Sequence, residues 1–234
     1  MTRPKILDLF CKAGGAGMGY YMAGFDVTGV DIEPQPHYPF AFVQGDAIEY
    51  VKNHGHEFDV IHASPPCQFH SVTKFSTKTT HHLDLIPPTR QALIAIGLPY
   101  VIENVEGATK EMINPARYCG SAFGLRVQRH RMFETNWELE SMICDHKWQR
   151  REPLPYVVRI SKKDGGFRRS GVVPVFGHDQ LLFDGKSDIR QETIVARKAM
   201  GISWMTKPEL NQAIPPAYTH LIGFHLLNTM RDGS

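Results

Sequence analysis

No stretch of the sequence approaches the roughly 20 apolar residues needed to cross a bilayer. Its opening residues, Met-Thr-Arg-Pro-Lys-Ile-Leu-Asp-Leu-Phe, lack a long apolar segment followed by a small-residue cleavage site. The expectation is a cytoplasmic protein with no membrane association. Cysteine is scarce: Cys11, Cys67, Cys119 and Cys144 are the four, too widely spaced for a disulfide framework. Cys144 and His146 sit close together with Cys119 upstream, and these are residue types zinc takes. The paired CxxC spacing is missing, however, so they read as free thiols and no metal is expected. No GxxxxGK[ST] phosphate loop is present, which disfavours ATP. There is no internal repeat. Net charge is small too, at +2 from 26 Lys and Arg against 24 Asp and Glu. What remains is ordinary for a globular chain: 234 residues, 42% hydrophobic and 21% charged. That suffices to bury one core, with room for a small lobe, without disulfides or metals. A monomer is expected.

The charge is unevenly placed. Between Lys147 and Arg169 eight cations face only Glu152 and Asp164, a local +6 that leaves −4 on the rest of the chain. Such a stretch is either a phosphate-facing surface or a solvated basic loop. Along the chain, short apolar runs at 5–10, 25–30, 40–43, 58–63 and 99–102 read as strands. Residues 18–23, 47–53 and 90–96 read as helices between them, the last starting near Pro87 or Pro88. Strands alternating with helices imply a parallel sheet covered on both faces. Residues 68–82, rich in Ser, Thr, Lys and His, read as a mobile loop. Three parts follow: a catalytic and cofactor-binding domain over 1–136, a small lobe over 137–190, and a C-terminal segment over 191–234. The last holds helices at 193–200 and from Pro216 or Ala217 to Met230.

Three features of the first part point to a bound adenosine. A glycine-rich turn, Cys11-Lys12-Ala13-Gly14-Gly15, leads from the first strand into a helix, where glycine lets backbone approach a ligand closely. Asp31 ends the second strand, where a carboxylate accepts from ribose hydroxyls. Asp46 follows the third, where it can accept from an adenine amino group. Either acid alone reads better as a helix cap or a solvated loop residue; all three in register favour the nucleoside.

The reacting groups follow. Ser64-Pro65-Pro66-Cys67-Gln68 comes after the fourth strand, and two prolines fix the backbone that carries Cys67 to the rim of the sheet. Structural cysteines usually lie within strands or helices, so this one reads as a positioned nucleophile. Glu103-Asn104-Val105 ends the fifth strand on the same edge. A carboxyl group there suits chemistry in which a base is attacked while its ring nitrogen takes a proton. Arg126, Arg129, His130 and Arg131 form a basic cluster that either grips a carbonyl oxygen or phosphate or decorates a solvated edge strand.

Asp-Leu-Phe-Cys-Lys-Ala-Gly-Gly (8–15), Ser-Pro-Pro-Cys-Gln (64–68), Glu-Asn-Val (103–105), Arg-His-Arg-Met-Phe (129–133) and Gln-Ala-Ile-Pro-Pro (212–216) resemble the ordered motifs of the DNA cytosine-C5 methyltransferases. The short length and compact insert resemble the small bacteriophage-encoded members, which would place the protein in a bacterial host's cytoplasm. The resemblance implies an α/β, Rossmann-like class I S-adenosylmethionine-dependent methyltransferase fold, its mostly parallel sheet carrying a small target-recognition insert. It implies that S-adenosylmethionine lies among Phe10, Lys12, Ala13, Gly14, Gly15, Asp31, Ile32, Asp46, Ala47, Ile48, Pro65, Gln212 and Ala213. Phe10 would stack near the adenine, Asp31 would hold the ribose, and Asp46 with Ile48 would bind the adenine. Cys67 would add to C6 of a cytosine flipped out of double-stranded DNA, with Glu103 on N3 and the exocyclic amine. Arg131 and Arg129 would face O2 and the sugar-phosphate, and Asn104 would support the Cys67 loop. The loop over 69–82 would close over the base.

Three positions depart from the family pattern. Lys12 stands where glycine is usual, Val127 where glutamine is usual, and Asn211-Gln212 where Gly-Asn is usual. A lysine in the cofactor loop could instead pair with an anionic transferred group. That suggests carboxy-S-adenosylmethionine as an alternative cofactor and carboxymethyl transfer as an alternative reaction. The same motifs would also suit a tRNA cytosine-C5 methyltransferase, or a non-catalytic nucleic-acid-binding protein that keeps the fold.

Overall fold

The computed structural model describes residues 2–66, 84–152, 154–160, 167–175, 182–183, 186–187 and 189–232. The apolar runs do form strands. β1 (Lys5–Leu9), β2 (Asp26–Asp31), β3 (Ala41–Gln44), β4 (Val60–Ala63) and β5 (Tyr100–Asn104) are joined by β6 (Ala116–Tyr118) and β7 (Arg131–Thr135) in one sheet of order β3-β2-β1-β4-β5-β7-β6. The pairs from β3 through β5 are parallel, whereas β7 runs antiparallel to both β5 and β6. The chain leaves β1 toward β2 and β3, then returns to add β4 and β5 on the other side. Strand order therefore reverses between β1 and β4, and the crevice beyond their carboxyl ends is where open α/β sheets bind ligands. Register gathers the motifs there, since Leu9 pairs with both Val30 and Ala63, and Ala63 with Ile102.

A parallel sheet needs cover on both faces, which explains why its strands read as continuous apolar runs. On one face Leu7, Leu9, Ile61 and Ile102 pack with Val51 of α2 (Ala47–His54) and Leu93 of α3 (Ile86–Ile96). On the other, Ile6, Val60, Val101 and Phe133 pack with Tyr20 of α1 (Gly15–Ala23) and with Tyr218 and Ile222 of α7 (Pro216–Asp232). Glycine lets α1 and α7 meet closely: a Cβ on Gly19 would overlap Thr219 Oγ1 and the Pro216 carbonyl. Thr219 Oγ1 uses that closeness to donate to the Ala16 carbonyl at 2.8 Å.

The structure departs from the sequence reading in places. α1 starts at Gly15, three residues before Met18, because packing against α7 overrides the poor helix propensity of glycine. β7 is an interior strand rather than a solvated edge. Its acidic residue Glu134 is 1% exposed, because Arg90 clamps it through two N–O contacts of 2.6 and 2.7 Å and the Ile113 amide donates to it. A buried ion pair reads as surface in a sequence. α5 (Ile189–Met200) begins before Thr193, and α6 (Lys207–Gln212) opens on a reciprocal Thr206–Glu209 capping box. In the span read as a lobe, Trp137, Leu139 and Met142 pack on the sheet's core, and the Met142 amide donates to the Arg117 carbonyl beside β6. Beyond them come α4 (His146–Arg151) and two antiparallel pairs, β8 (Leu154–Ile160) with β9 (Phe167–Ser170) and β10 (Leu182–Phe183) with β11 (Lys186–Ser187). The segment read as a mobile loop, 68–82, lies outside the described residues.

Candidate active site

The turn after β1 is conformationally unusual. Phe10 and Lys12 have φ of 56° and 44°, in the left-handed region that disfavours residues other than glycine, and Gly14 follows at 83°. The C-terminal segment holds this turn. Trp204 Nε1 donates to the Ala13 carbonyl at 2.8 Å, and a Cβ on Gly15 would reach 2.6 Å from the Ile214 carbonyl. The turn thus sits against buried Ala213 and Ile214, while Gln212 is exposed at the end of α6.

Asp31 is buried at the end of β2, where its Oδ2 accepts from the Lys12 amide at 3.1 Å and its Oδ1 from the Glu33 amide at 3.0 Å. Asp46 caps α2, its Oδ1 accepting from the Glu49 amide at 2.8 Å. The capping reading of Asp46 is therefore correct, and its second oxygen is the one a ligand would use. Ala47 is buried, Ile48 and Phe10 are half-buried against the sheet's core, and Ile32 is 67% exposed. Strained glycine-rich backbone, a carboxylate at the tip of β2 and apolar side chains beside it form a donor set that fits an adenosine with a charged tail. Lys12 is already engaged. Its Nζ lies 2.8 Å from Glu33 Oε2 and 3.6 Å from Asp31 Oδ1, and although burial works against its charge, the two acids outweigh it and raise its pKa.

The reacting edge lies across the crevice. Arg131 Nε meets Glu103 Oε1 at 2.9 Å, with both side chains largely buried. Burial pushes the Glu103 carboxyl above the usual carboxylate range, against the opposing pull of Arg131, a Ser64 hydrogen bond and Arg129. A carboxyl group so placed holds a proton more readily than a surface acid does. Asn104 Nδ2 donates to the Pro65 carbonyl at 3.1 Å, fixing the Ser64-Pro65-Pro66 segment, and Pro66 is exposed at the rim. The next residue, Cys67, lies outside the described residues. Arg129 is buried, its Nη2 donates to the Asn211 carbonyl, and the Arg129 carbonyl accepts from Tyr218 Oη at 2.6 Å. Arg129 thus joins the segment before β7 to the C-terminal segment, and Arg131 is the arginine at the carboxyl group.

Two contributors escaped the sequence reading. His62 is fully buried on β4, and burial depresses its pKa to about 3, so it is neutral. Tyr20 Oη lies 3.0 Å from its Nδ1 and Ser64 Oγ lies 3.0 Å from its Nε2. The neutral imidazole thus bridges the Tyr20 and Ser64 hydroxyls, and the Ser64 side chain in turn hydrogen-bonds Glu103. A polar residue in mid-strand was the available signal. Val127, in the place of the family glutamine, is buried, and Gln149 from α4 fills the polar role beside it, donating to the Leu125 and Val127 carbonyls at 2.7 and 3.2 Å.

No protein-family model matches the chain. A type II methyltransferase, M.XorII of Xanthomonas oryzae pv. oryzae, is 31% identical over 126 residues, covering 47% of this chain and 30% of the relative. The match thus spans less than a third of that relative's length. Among solved structures, an E. coli prophage protein assigned as a DNA modification methyltransferase superposes with a TM-score of 0.61 at 15% identity, covering 97% of this chain and 99% of the other. Dnmt2 methyltransferase of S. pombe gives 0.60 at 14% identity over the same shares. The chain has a methyltransferase fold. Its mostly parallel seven-stranded sheet is the one these methyltransferases share, and its sequence resembles a type II methyltransferase.

Proposed function

We propose that the protein is an S-adenosylmethionine-dependent DNA cytosine-C5 methyltransferase. The observation that carries this reading is the buried Glu103–Arg131 pair beside the Asn104-held Pro65, one residue of rim backbone away from Cys67. In this reading a cytosine leaves the duplex and enters the crevice. The raised pKa of Glu103 lets it bear the proton that N3 shares as the ring is attacked, and Arg131 orients the carboxyl group and faces O2. The Cys67 thiolate adds to C6, which makes C5 carbanion-like. Phe10, Asp31, Asp46 and the Lys12–Gly15 turn would hold S-adenosylmethionine, which when bound would supply an electrophilic methyl group for C5. Loss of the C5 proton and elimination of Cys67 then restore the ring. Residues 137–190 would read the DNA sequence, and the +6 stretch between Lys147 and Arg169 would meet phosphates.

Methyl rather than carboxymethyl transfer is favoured by Lys12, whose ammonium already has Glu33 and Asp31 as partners. Carboxymethyl transfer would require it to exchange Glu33 for the cofactor's carboxylate. DNA is favoured over tRNA by the type II relative, and a catalytic over a merely binding role by the Glu103–Arg131 pair.

The test uses duplex DNA carrying 5-fluorocytosine, in which the C5 substituent cannot leave. With S-adenosylmethionine the parent protein should form a covalent adduct stable to denaturation, and Cys67→Ser should form none while still binding DNA. A Cys67→Ser protein that retains most of its activity would sink the covalent mechanism. Activity on tRNA with none on duplex DNA would move the assignment to RNA.

A further inference from the structure

The four residues Cys119, His130, Cys144 and His146 each offer one ligand atom, and these atoms all lie within 4.8 Å of one another. We propose that they form a structural zinc site. The sequence shows three of the four, Cys119, Cys144 and His146, but the missing CxxC spacing favours free thiols there, and His130 is not among the candidates. Folding assembles them: Cys119 follows β6, His130 precedes β7, and Cys144 with His146 forms the turn into α4.

The geometry suits tetrahedral zinc. Zn–S near 2.3 Å and Zn–N near 2.0–2.1 Å put ligand atoms roughly 3.3–3.8 Å apart around the metal. Cys119 Sγ lies 3.2 Å from His146 Nε2, and Cys144 Sγ lies 3.5 Å from His130 Nε2. Both histidines thus turn Nε2 toward the thiols. The outer contacts suit a metal as well. His130 Nδ1 lies 3.3 Å from Glu106 Oε2, the carboxylate-histidine arrangement that fixes a ligating ring, and Ser121 Oγ lies 3.2 Å from Cys119 Sγ. Two thiolates and two imidazoles with no fifth donor in the group make a closed site, the pattern of structural rather than catalytic zinc.

Its position gives the site a purpose. Arg129 and Arg131 flank His130, and Arg131 Nη1 donates to the His130 carbonyl at 2.8 Å. The metal would pin that backbone and, through Cys144 and His146, the start of α4. It would therefore hold Arg131 against Glu103 and join the basic region to the sheet. The proposal does not depend on the reaction assigned above.

The full chain, purified under reducing conditions without immobilised-metal chromatography, should carry close to one zinc by elemental mass spectrometry. Exchange for cobalt(II) should give the ligand-field and thiolate charge-transfer bands of a tetrahedral S2N2 site. Cys144→Ser and His146→Asn should lose the metal, while Cys11→Ser, a buried cysteine outside the group, should keep it. Glu106 is 54% exposed, so Glu106→Gln should fold normally and weaken zinc affinity about 10–100-fold in chelator competition. Wild-type protein grown with ample zinc that carries under about a tenth of an equivalent, and shows no tetrahedral cobalt spectrum, would overturn the proposal. Unchanged zinc in Cys144→Ser, or a Cys119–Cys144 disulfide in place of metal, would do so as well. The wild-type measurements stand even if a variant fails to fold.

Discussion

Asp8 offers a quantitative test of the buried electrostatics under the cofactor turn. It sits on β1 with no exposure, its Oδ2 accepting from Tyr38 Oη at 3.1 Å and its Oδ1 having no hydrogen-bond partner. Burial dominates, and the nearby acids Asp31 and Glu103 add to it; against the pull of Tyr38 and the Gly17 amide, the carboxyl is pushed up from 3.8 to about 8. In an unfolded chain Asp8 ionises near pH 4, whereas in the folded chain it holds its proton until about pH 8. Its contribution to stability is therefore complete below pH 4 and is lost as pH rises to about 8. Each pH unit across that window is worth about 1.4 kcal/mol, so at pH 7 the penalty is of the order of 4 kcal/mol. Asp8→Asn keeps the shape and stays neutral. Like the protonated acid, it leaves a donor near Oδ1 unmatched, so the two proteins should melt together at pH 4 and below, where Asp8 is protonated in both folded and unfolded chains. By pH 7 to 8 the variant should melt higher by something of the order of 10 °C, at roughly 2–4 °C per kcal/mol. The wild-type curve alone would mislead, because neutral His62 acts with the opposite sign. Its pKa falls from 6.5 to about 3, so its contribution is present above pH 6.5 and lost below it. Subtracting the two melting curves isolates Asp8. A difference that does not widen between pH 5 and pH 8, or an Asp8→Asn protein less stable throughout, would refute the reasoning.

Further consequences are directly measurable. Gly19→Ala should force α1 and α7 apart and cost about 3 kcal/mol in urea unfolding, since the new methyl meets the Pro216 backbone carbonyl, which cannot turn aside. Offered S-adenosylmethionine and carboxy-S-adenosylmethionine in competition, the enzyme should yield 5-methylcytosine by nucleoside mass spectrometry. Dominant 5-carboxymethylcytosine, reversed by Lys12→Gly, would show that Lys12 abandons Glu33 for the cofactor. Neutralising Lys162 and Lys163 together should lower the slope of log affinity against log salt by about 2, if each meets a phosphate; an unchanged slope would remove them from the DNA interface.

Much of the fold was legible from residues 1–136, because strands buried on both faces must be apolar runs and their turns must carry glycine and proline. That sufficed for β1 to β5, and for placing Phe10, Asp31, Ser64 and Glu103 at one edge. What the sequence could not give was any feature in which charge is buried or ligands are scattered. β7 was obscured because Glu134 is charged yet enclosed, its desolvation offset by Arg90 through contacts 44 residues apart. Arg129 and Arg131 differ by two positions and read alike, but Arg131 opens β7 and meets Glu103, whereas Arg129, in the segment before the strand, donates to the Asn211 carbonyl. His62 looked like any strand residue until the sheet placed it between Tyr20 and Ser64. Cys119, His130, Cys144 and His146 show no spacing rule, and only the approach of β6, β7 and α4 brings their ligand atoms together. Local sequence determines where strands and turns begin, because that depends on periodicity and propensity; which polar groups meet depends on distance through space, which only the packed chain decides.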